Sequence, residues 1–371
     1  EQALTILVGM CDGVMVSSVG EAAISGVSLV DMINNVILVL FAALATGGAV
    51  VTSQFLGARQ WEKARQSAGQ LVLMSAAMGT AAAVLCLAFA KNLMRLFFGA
   101  IDDNVMAAGL TYLRITALSF PFIALYNAGA AIFRSVGNSK VSMQVSLLMN
   151  AINVAGNAIC IFVLKMGVAG VAIPTVVSRC VAAVVILLLA ANPRQALCLK
   201  WGAICRADGK MMGSILGIGV PNACENSFFQ LGRLIVVSMI ALFGTVQTSA
   251  NAVANTLDSV GIIIGQAMGL AMVTVVGQCV GAGDPEQVRH YVKKLMRWSY
   301  LSMAVCNVLI VIFVEDLISL YSSLSPETVA LTKTLVIIHA GCAILLWPAS
   351  FVLPNALRAA NDVRFTMWVG I

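Results

Sequence analysis

The segment 54-QFLGARQWEKAR-65 reappears 224 residues later, without a gap, as 278-QCVGAGDPEQVR-289. The two copies agree at Gln54/Gln278, Gly57/Gly281, Ala58/Ala282, Glu62/Glu286 and Arg65/Arg289. That is five positions of twelve, where ordinary residue frequencies yield about one. The same offset pairs Glu1 with Glu225, Gly20 with Gly244, Leu93 with Leu317, Arg134 with Arg358 and Met143 with Met367. An internal duplication therefore organises the chain, and the intervening residues show what is duplicated.

Between charged or Gly/Pro-rich breaks lie apolar runs near 1–18, 22–55, 67–98, 108–134, 141–164, 168–192, 213–243, 246–280, 288–314 and 327–358, with another beginning near 365. Each is long enough, at 1.5 Å per residue, to cross a hydrocarbon core of roughly 30 Å as a helix. The run 22–55 exceeds one perpendicular span, so a tilt, a kink near Gly47-Gly48 or a projection beyond the bilayer is expected. With 60% hydrophobic and 10% charged residues, a water-soluble fold could not cover this apolar surface. Six helices separate repeat-equivalent positions, so both copies cross in the same direction and the repeat is parallel. The expected fold is an all-α integral membrane protein with two parallel six-helix lobes around a central cleft. It comprises an N-lobe over 1–192, a cytoplasmic linker over 193–212 and a C-lobe over 213–371. The chain opens without a methionine and stops inside an apolar run, so it reads as a fragment with ten helices and part of an eleventh.

Lys and Arg define the orientation, because positive loops are retained in the cytoplasm. If the first helix runs outward, fifteen of the 22 basic residues fall in inner loops, four in outer loops and three within spans. The N-terminus is then cytoplasmic and the net charge of +6 reflects topology, with no nucleic-acid partner implied. The ten cysteines lack metal spacing, and His290 and His339 are isolated from any catalytic pattern, which excludes the common enzyme classes. No cofactor is expected beyond a coupling ion.

An acid at bilayer depth costs roughly 2.5–3.5 kcal/mol on insertion scales and needs a partner, a proton or a cation. Asp12 lies mid-span in ALTILVGMCDGVMVSS with no basic residue on its helix, and its repeat equivalent is Val236. The lobe's architecture therefore does not require the acid, although it could also act as packing glue between helices. Asn153 and Asn157 share one helix face, and Asn150 adds an amide one turn earlier. These amides form either a hard-oxygen shell for Na⁺, a network holding Asp12 protonated, or plain interhelical hydrogen bonds. Thr175 follows Pro174, a proline that frees backbone carbonyls as further ligands. Asp31, Asp258, Arg114, Arg179, Glu225 and Arg233 read as interhelical ion pairs. Pro121 and Pro348 interrupt the fourth and tenth helices near corresponding places, as hinges or as kinks without function.

The pieces GMCDGVMVSSVGEAAISGVSL (9–29), FAALATGGAVVTSQFLGARQ (41–60), AIFRSVGNSK (131–140), NVAGNAICIFVLKMGVAGVAIPTVVSR (153–179), VTVVGQCVGAGD (273–284) and NALRAANDVRF (355–365) span the chain. In them the sequence resembles the multidrug and toxic compound extrusion (MATE) family. The resemblance implies twelve helices in two lobes. In the DinF-like branch it also implies an N-lobe site for Na⁺ or H⁺ at Asp12, Asn153, Asn157 and Thr175. Asn157 stands where that branch has an aspartate, which leaves one formal negative charge. The acids of the NorM-like branch fall on Phe229 and Trp347, so its C-lobe cation site is expected to be absent.

The function expected is cation-coupled export of amphipathic, often cationic, organic solutes by a monomer in a prokaryotic plasma membrane. The alternative is a lipid-linked oligosaccharide flippase, for which Arg114, Arg179 and Arg233 supply too little positive charge. A receptor or scaffold explains the helices but not a repeat with an asymmetric acid.

Overall fold

The computed structural model describes Met15 and residues 20–99, 102–200, 202, 204, 206–319, 321 and 325–370. The expected span 1–18 lies outside the described residues except for Met15, and Asp12 lies outside them with it. The described residues form helices and no strands. In the first copy these are α1 Glu21–Gly57, α2 Trp61–Phe98, α3 Asp103–Ala117, α4 Phe120–Ser135, α5 Ser139–Ala158 and α6 Ala169–Ala190, with a π turn Ile159–Val163 extending α5. Beyond them follow α7 Gly209–Ala241, α8 Thr245–Gly281, α9 Pro285–Ile312, α10 Val314–Ser319 and α11 Pro326–Trp347. A second π turn, Pro348–Val352, then leads into α12 Leu353–Ala359 and α13 Val363–Gly370.

Among the described residues, seven helices are long and apolar enough to cross a bilayer, and α3 with α4 makes an eighth, bent by 48°. Helix α7 is more polar, interrupted by Asn222, Glu225, Asn226, Gln230 and Arg233. Leu85, Leu96, Val163, Leu188, Leu242 and Trp368 face outward, as lipid requires, while the interior is rich in small residues such as Ala64, Ala68, Ala128, Ala130 and Ala131. Lipid tails are as apolar as leucine, so helices associate through close packing rather than through exclusion of water. Small side chains permit that approach. The chain is thus an all-α integral membrane protein.

The duplication is visible in the backbone. Helices α1 and α8 are each 37 residues long and begin after a glycine of positive φ, Gly20 at 129° and Gly244 at 116°. Both end in one turn. Ala58 N–H donates to Gln54 O and Ala282 N–H to Gln278 O, each at 2.9 Å, while Gln60 N–H and Asp284 N–H reach Phe55 O and Cys279 O. The left-handed position of this turn is Arg59 in one copy (φ 56°) and Gly283 in the other (φ 71°). A second turn recurs with Gly137 and Asn361 at positive φ, following Arg134 and Arg358.

Three expectations change. Helix α1 runs unbroken through Gly47 and Gly48; a Cβ on Gly47 would stand 2.6 Å from Ile215 O, and one on Gly48 2.4 Å from a Leu71 methyl. These glycines serve close packing, not a kink. Helix α2 starts at Trp61 rather than near 67, because Glu62, Lys63 and Arg65 continue the helix beyond its apolar stretch. Finally, the chain divides into compact units Ala3–Ala223 and Cys224–Ile371, a boundary inside α7. The stretch 193–212, expected as a linker, is fastened to the first unit: Gln70 Nε2 donates to Arg206 O at 2.8 Å and Gln66 Nε2 to Asp208 Oδ2 at 2.7 Å.

Candidate functional site

In the first unit α5 and α6 form an antiparallel pair whose facing side chains are polar and buried. Asn157 is fully buried, and Asn150, Asn153 and Thr175 nearly so. The approach is set by Gly156, between the two asparagines: a Cβ there would lie 2.7 Å from Pro174 Cβ. Glycine lets α5 rest on the proline ring, bringing Asn153 and Asn157 alongside Thr175. Pro174 has no N–H to offer the Gly170 carbonyl one turn earlier, so the same contact leaves a backbone acceptor in the seam.

The hydrogen bonds run as a chain. Asn157 Nδ2 donates to Asn153 Oδ1 at 3.4 Å, Asn153 Nδ2 donates to Thr175 Oγ1 at 3.1 Å, and the Thr175 hydroxyl donates to Val171 O at 3.0 Å. Asn150, one turn earlier on α5, has an Nδ2 without a hydrogen-bond partner among the described residues. The set offers amide and hydroxyl oxygens, the hard donors that suit Na⁺ or hydrogen-bond a protonated acid. Directly after Asn157 the helix passes into its π turn, a distortion frequent at functional sites. The structure therefore brings Asn153, Asn157 and Thr175 into one cluster, with Gly156 as the packing residue that sequence reading missed.

The other residues singled out lie elsewhere. Pro121 stands in the first turn of α4, where Gly79 of α2 approaches it so closely that a Cβ would lie 2.7 Å from Pro121 Cα. The bend lies just before it, where Ser119 Oγ donates to Thr116 O at 2.6 Å and accepts from Arg179 Nη1 at 2.7 Å. In the second unit Pro348 opens the π turn after α11. Phe229 and Trp347 meet through Phe351, the first edge-on at 5.4 Å and the second stacked at 5.0 Å. Trp347 lies over Gly265, where a Cβ would stand 2.3 Å from the indole. Phe229 and Phe351 keep an exposed face, giving an aromatic surface suited to flat or cationic organic groups.

Two charge arrangements complete the picture. Glu225 Oε1 accepts from Arg358 Nη2 at 2.6 Å with both side chains largely buried, and Asn355 Oδ1 accepts from Arg358 Nη1 at 2.8 Å. His339, taken as isolated in the sequence, is paired: its Nδ1 lies 2.8 Å from Asp258 Oδ1. The two residues are 81 positions apart, and only the packing of α8 on α11 joins them.

An all-α membrane protein with a tandem six-helix repeat, polar seams buried inside a unit and no strand among its described residues has the build of a membrane transporter. The MatE family pattern matches residues 1–159 and 221–371, and the chain belongs to that family. It is 28% identical over 379 residues to the uncharacterized transporter YisQ of Bacillus subtilis (strain 168), covering 100% of this chain and 81% of that protein. It is 25% identical over 340 residues to the probable multidrug resistance protein NorM of Thermotoga maritima, covering 90% of this chain and 72% of that one. Its fold matches an outward-facing multidrug resistance MATE family transporter of the MOP superfamily with a TM-score of 0.92 at 19% identity, over 100% of this chain and 82% of that one. In general terms, then, the chain is a membrane transporter.

Proposed function

We propose that the protein is an efflux antiporter, which exchanges Na⁺ or H⁺ for amphipathic, often cationic, organic compounds by alternating access of its two lobes. The observation that carries this reading is the buried chain Asn157–Asn153–Thr175 in a chain of this family, on the two helices where the family resemblance puts the partners of Asp12. Polar side chains inside an apolar helix pair are costly and mark ion pathways. In this reading Asp12 supplies the charge that takes the ion, the amides and hydroxyl complete its shell, and the aromatic surface of Phe229, Trp347 and Phe351 receives the solute. The protein acts as a monomer in a prokaryotic plasma membrane with its N-terminus in the cytoplasm. The several relatives named as multidrug resistance or multidrug export proteins support the choice of solute class.

The test is efflux of ethidium from liposomes holding the purified protein, under Na⁺ and pH gradients imposed separately. One gradient drives efflux, and Asp12→Asn removes that component. Full ion-driven efflux in Asp12→Asn overturns the coupling role. Movement of a lipid-linked sugar instead of ethidium would replace the antiporter with a flippase.

A further inference from the structure

The 224-residue offset lays Asp31 on Asn255 and Asn34 on Asp258. The first copy thus reads Asp-x-x-Asn on its α1 and the second Asn-x-x-Asp on the equivalent α8, with the carboxylate moved one helical turn along the same face. Its ring partner moves with it. In the first unit Asp31 is hydrogen-bonded by Asn34 (Nδ2 to Oδ1, 3.4 Å) and by Tyr112 of α3, with Arg179 of α6 as its nearby cation. In the second, Asp258 faces His339 of α11, three positions beyond Val336, the equivalent of Tyr112. One architectural slot therefore holds a carboxylate against an aromatic ring in both units, with different proton chemistry. An arginine keeps its charge at every accessible pH, so the first carboxylate is held beside a permanent cation. The partner of the second is an imidazole, a group that can take up and give up a proton.

We propose that the Asp258–His339 pair is a proton-binding site of the second unit, loaded and unloaded during the transport cycle. Asp258 Oδ1 and His339 Nδ1 stand 2.8 Å apart, at ion-pair distance, although Nδ1 is buried without a partner in hydrogen-bond geometry among the described residues. A proton on Nδ1 avoids the repulsion of two lone pairs at that distance. In the resting form Nδ1 carries the proton, Nε2 carries a lone pair, and the pair has a net charge of −1. One further proton, taken from water at Nε2, makes an imidazolium beside the carboxylate and brings the pair to neutrality. The proton leaves by the same nitrogen, and no other bond is made or broken. The His339 side chain is 41% exposed and that of Asp258 16%, so the ring is the more accessible partner and the carboxylate the more sheltered. Residues 245–258 are rich in Thr, Gln and Asn, and the apolar run of α8 begins only at Val260, so the pair sits at the foot of a polar helical stretch.

Around the pair stand an amide, a thiol, an engaged ion pair and apolar side chains. From α9, Asn307 Nδ2 donates to Gly261 O at 3.3 Å and the Cys306 thiol approaches Val260 O at 3.9 Å. From α12, Arg358 is engaged by Glu225. The neighbouring Leu257, Ile310 and Val336 are apolar. Among the described residues no group of three His, Cys, Asp or Glu side chains could hold a metal ion, and a carboxylate engaged by an imidazole suits a proton better than Na⁺. The proposed role in the cycle rests on the antiporter reading; the proton site does not.

Two measurements test it. The chain has two histidines, so ¹⁵N-histidine labelling of the His290→Gln variant in detergent isolates the His339 signal. Neutral His339 should show the Nδ1-protonated tautomer, and Asp258→Leu should return it to the usual Nε2-protonated form. An unchanged tautomer in Asp258→Leu overturns the pairing. Addition of tetraphenylphosphonium to the full chain, followed with a pH dye, should release about one proton fewer per protein in His339→Gln than in wild type. Equal release overturns the proton-loading role. Absence of tetraphenylphosphonium binding to wild type would instead sink the antiporter reading, and the tautomer would still decide the site.

Discussion

The first unit and the second share a 37-residue helix that begins after a positive-φ glycine and ends in the same turn, yet one equivalent slot on that helix is filled with different chemistry. The first unit buries a neutral amide–hydroxyl chain between α5 and α6 and holds Asp31 near an arginine. The second sets Asp258 against an imidazole ring, and it buries a Glu225–Arg358 ion pair at positions where the first copy carries Glu1 and Arg134. Backbone geometry is common to the two copies because both must satisfy the same helix-end hydrogen bonds in the same topology. Side chains in the seams are bound only by pairing rules, so each copy could find its own solution, and a transporter can assign its ion steps unequally.

The comparison is tested most severely at the ion pair. Removing one partner of a buried pair strands the other charge, so Glu225→Ala should lower stability by about 3–5 kcal/mol, read as a loss in thermal unfolding in detergent. A shift no larger than that of a surface substitution would show that the second unit does not depend on this pair. In the first unit the described seam residues Asn150, Asn153, Asn157 and Thr175 are uncharged and closely packed. Gly156→Val forces atoms into the 2.7 Å approach to Pro174 and should cost about 1–3 kcal/mol. It should also separate Asn153 from Thr175 and depress ion-driven efflux; unimpaired efflux would detach the cluster from coupling.

Charge can also be moved into the neutral seam. Asn157→Asp adds a second carboxylate beside Asn153 and should tighten Na⁺ binding on the order of tenfold, since cation affinity follows the number of charged ligands. The readout is the Na⁺ concentration that half-protects the protein from unfolding. A higher half-protecting Na⁺ concentration in wild type than in the variant sharpens the contrast, and equal concentrations erase it. The smallest effect concerns the shared turn. Gly283→Arg puts in the second copy what the first already carries at Arg59. A left-handed non-glycine residue costs about 1–2 kcal/mol, and Arg59→Gly should recover about as much. Equal stability of all three proteins would show that the turn carries no strain in either copy.

How much of this was legible beforehand differs by residue. Helical spacing, a mid-span proline and family resemblance point to Asn153, Asn157 and Thr175, and in the structure Asn153 is hydrogen-bonded to each of the other two. Gly156 was passed over, although it separates the two asparagines, because a glycine in a membrane helix gives no sign of which neighbour approaches it. The Asp-x-x-Asn and Asn-x-x-Asp motifs were present in the same 224-residue register that revealed the repeat. An offset that matches identical residues does not reveal them, because here the two residue types exchange places. His339 looked isolated because its partner is 81 residues away. The charges of Glu62, Lys63 and Arg65 resemble a loop in the sequence, whereas α2 starts at Trp61 because a helix continues into the aqueous region as long as its backbone bonds are satisfied.

By itself the sequence determined the membrane class, the parallel duplication and the helix order, because apolar length and periodicity are local properties that the bilayer reads directly. Only the tertiary structure decided which polar groups meet: that Gly156 admits Pro174, that Arg358 finds Glu225, that Asp258 lies against His339. Those choices depend on the rotation and depth of one helix against another, set by side-chain packing across the seam, and no single helix carries that information.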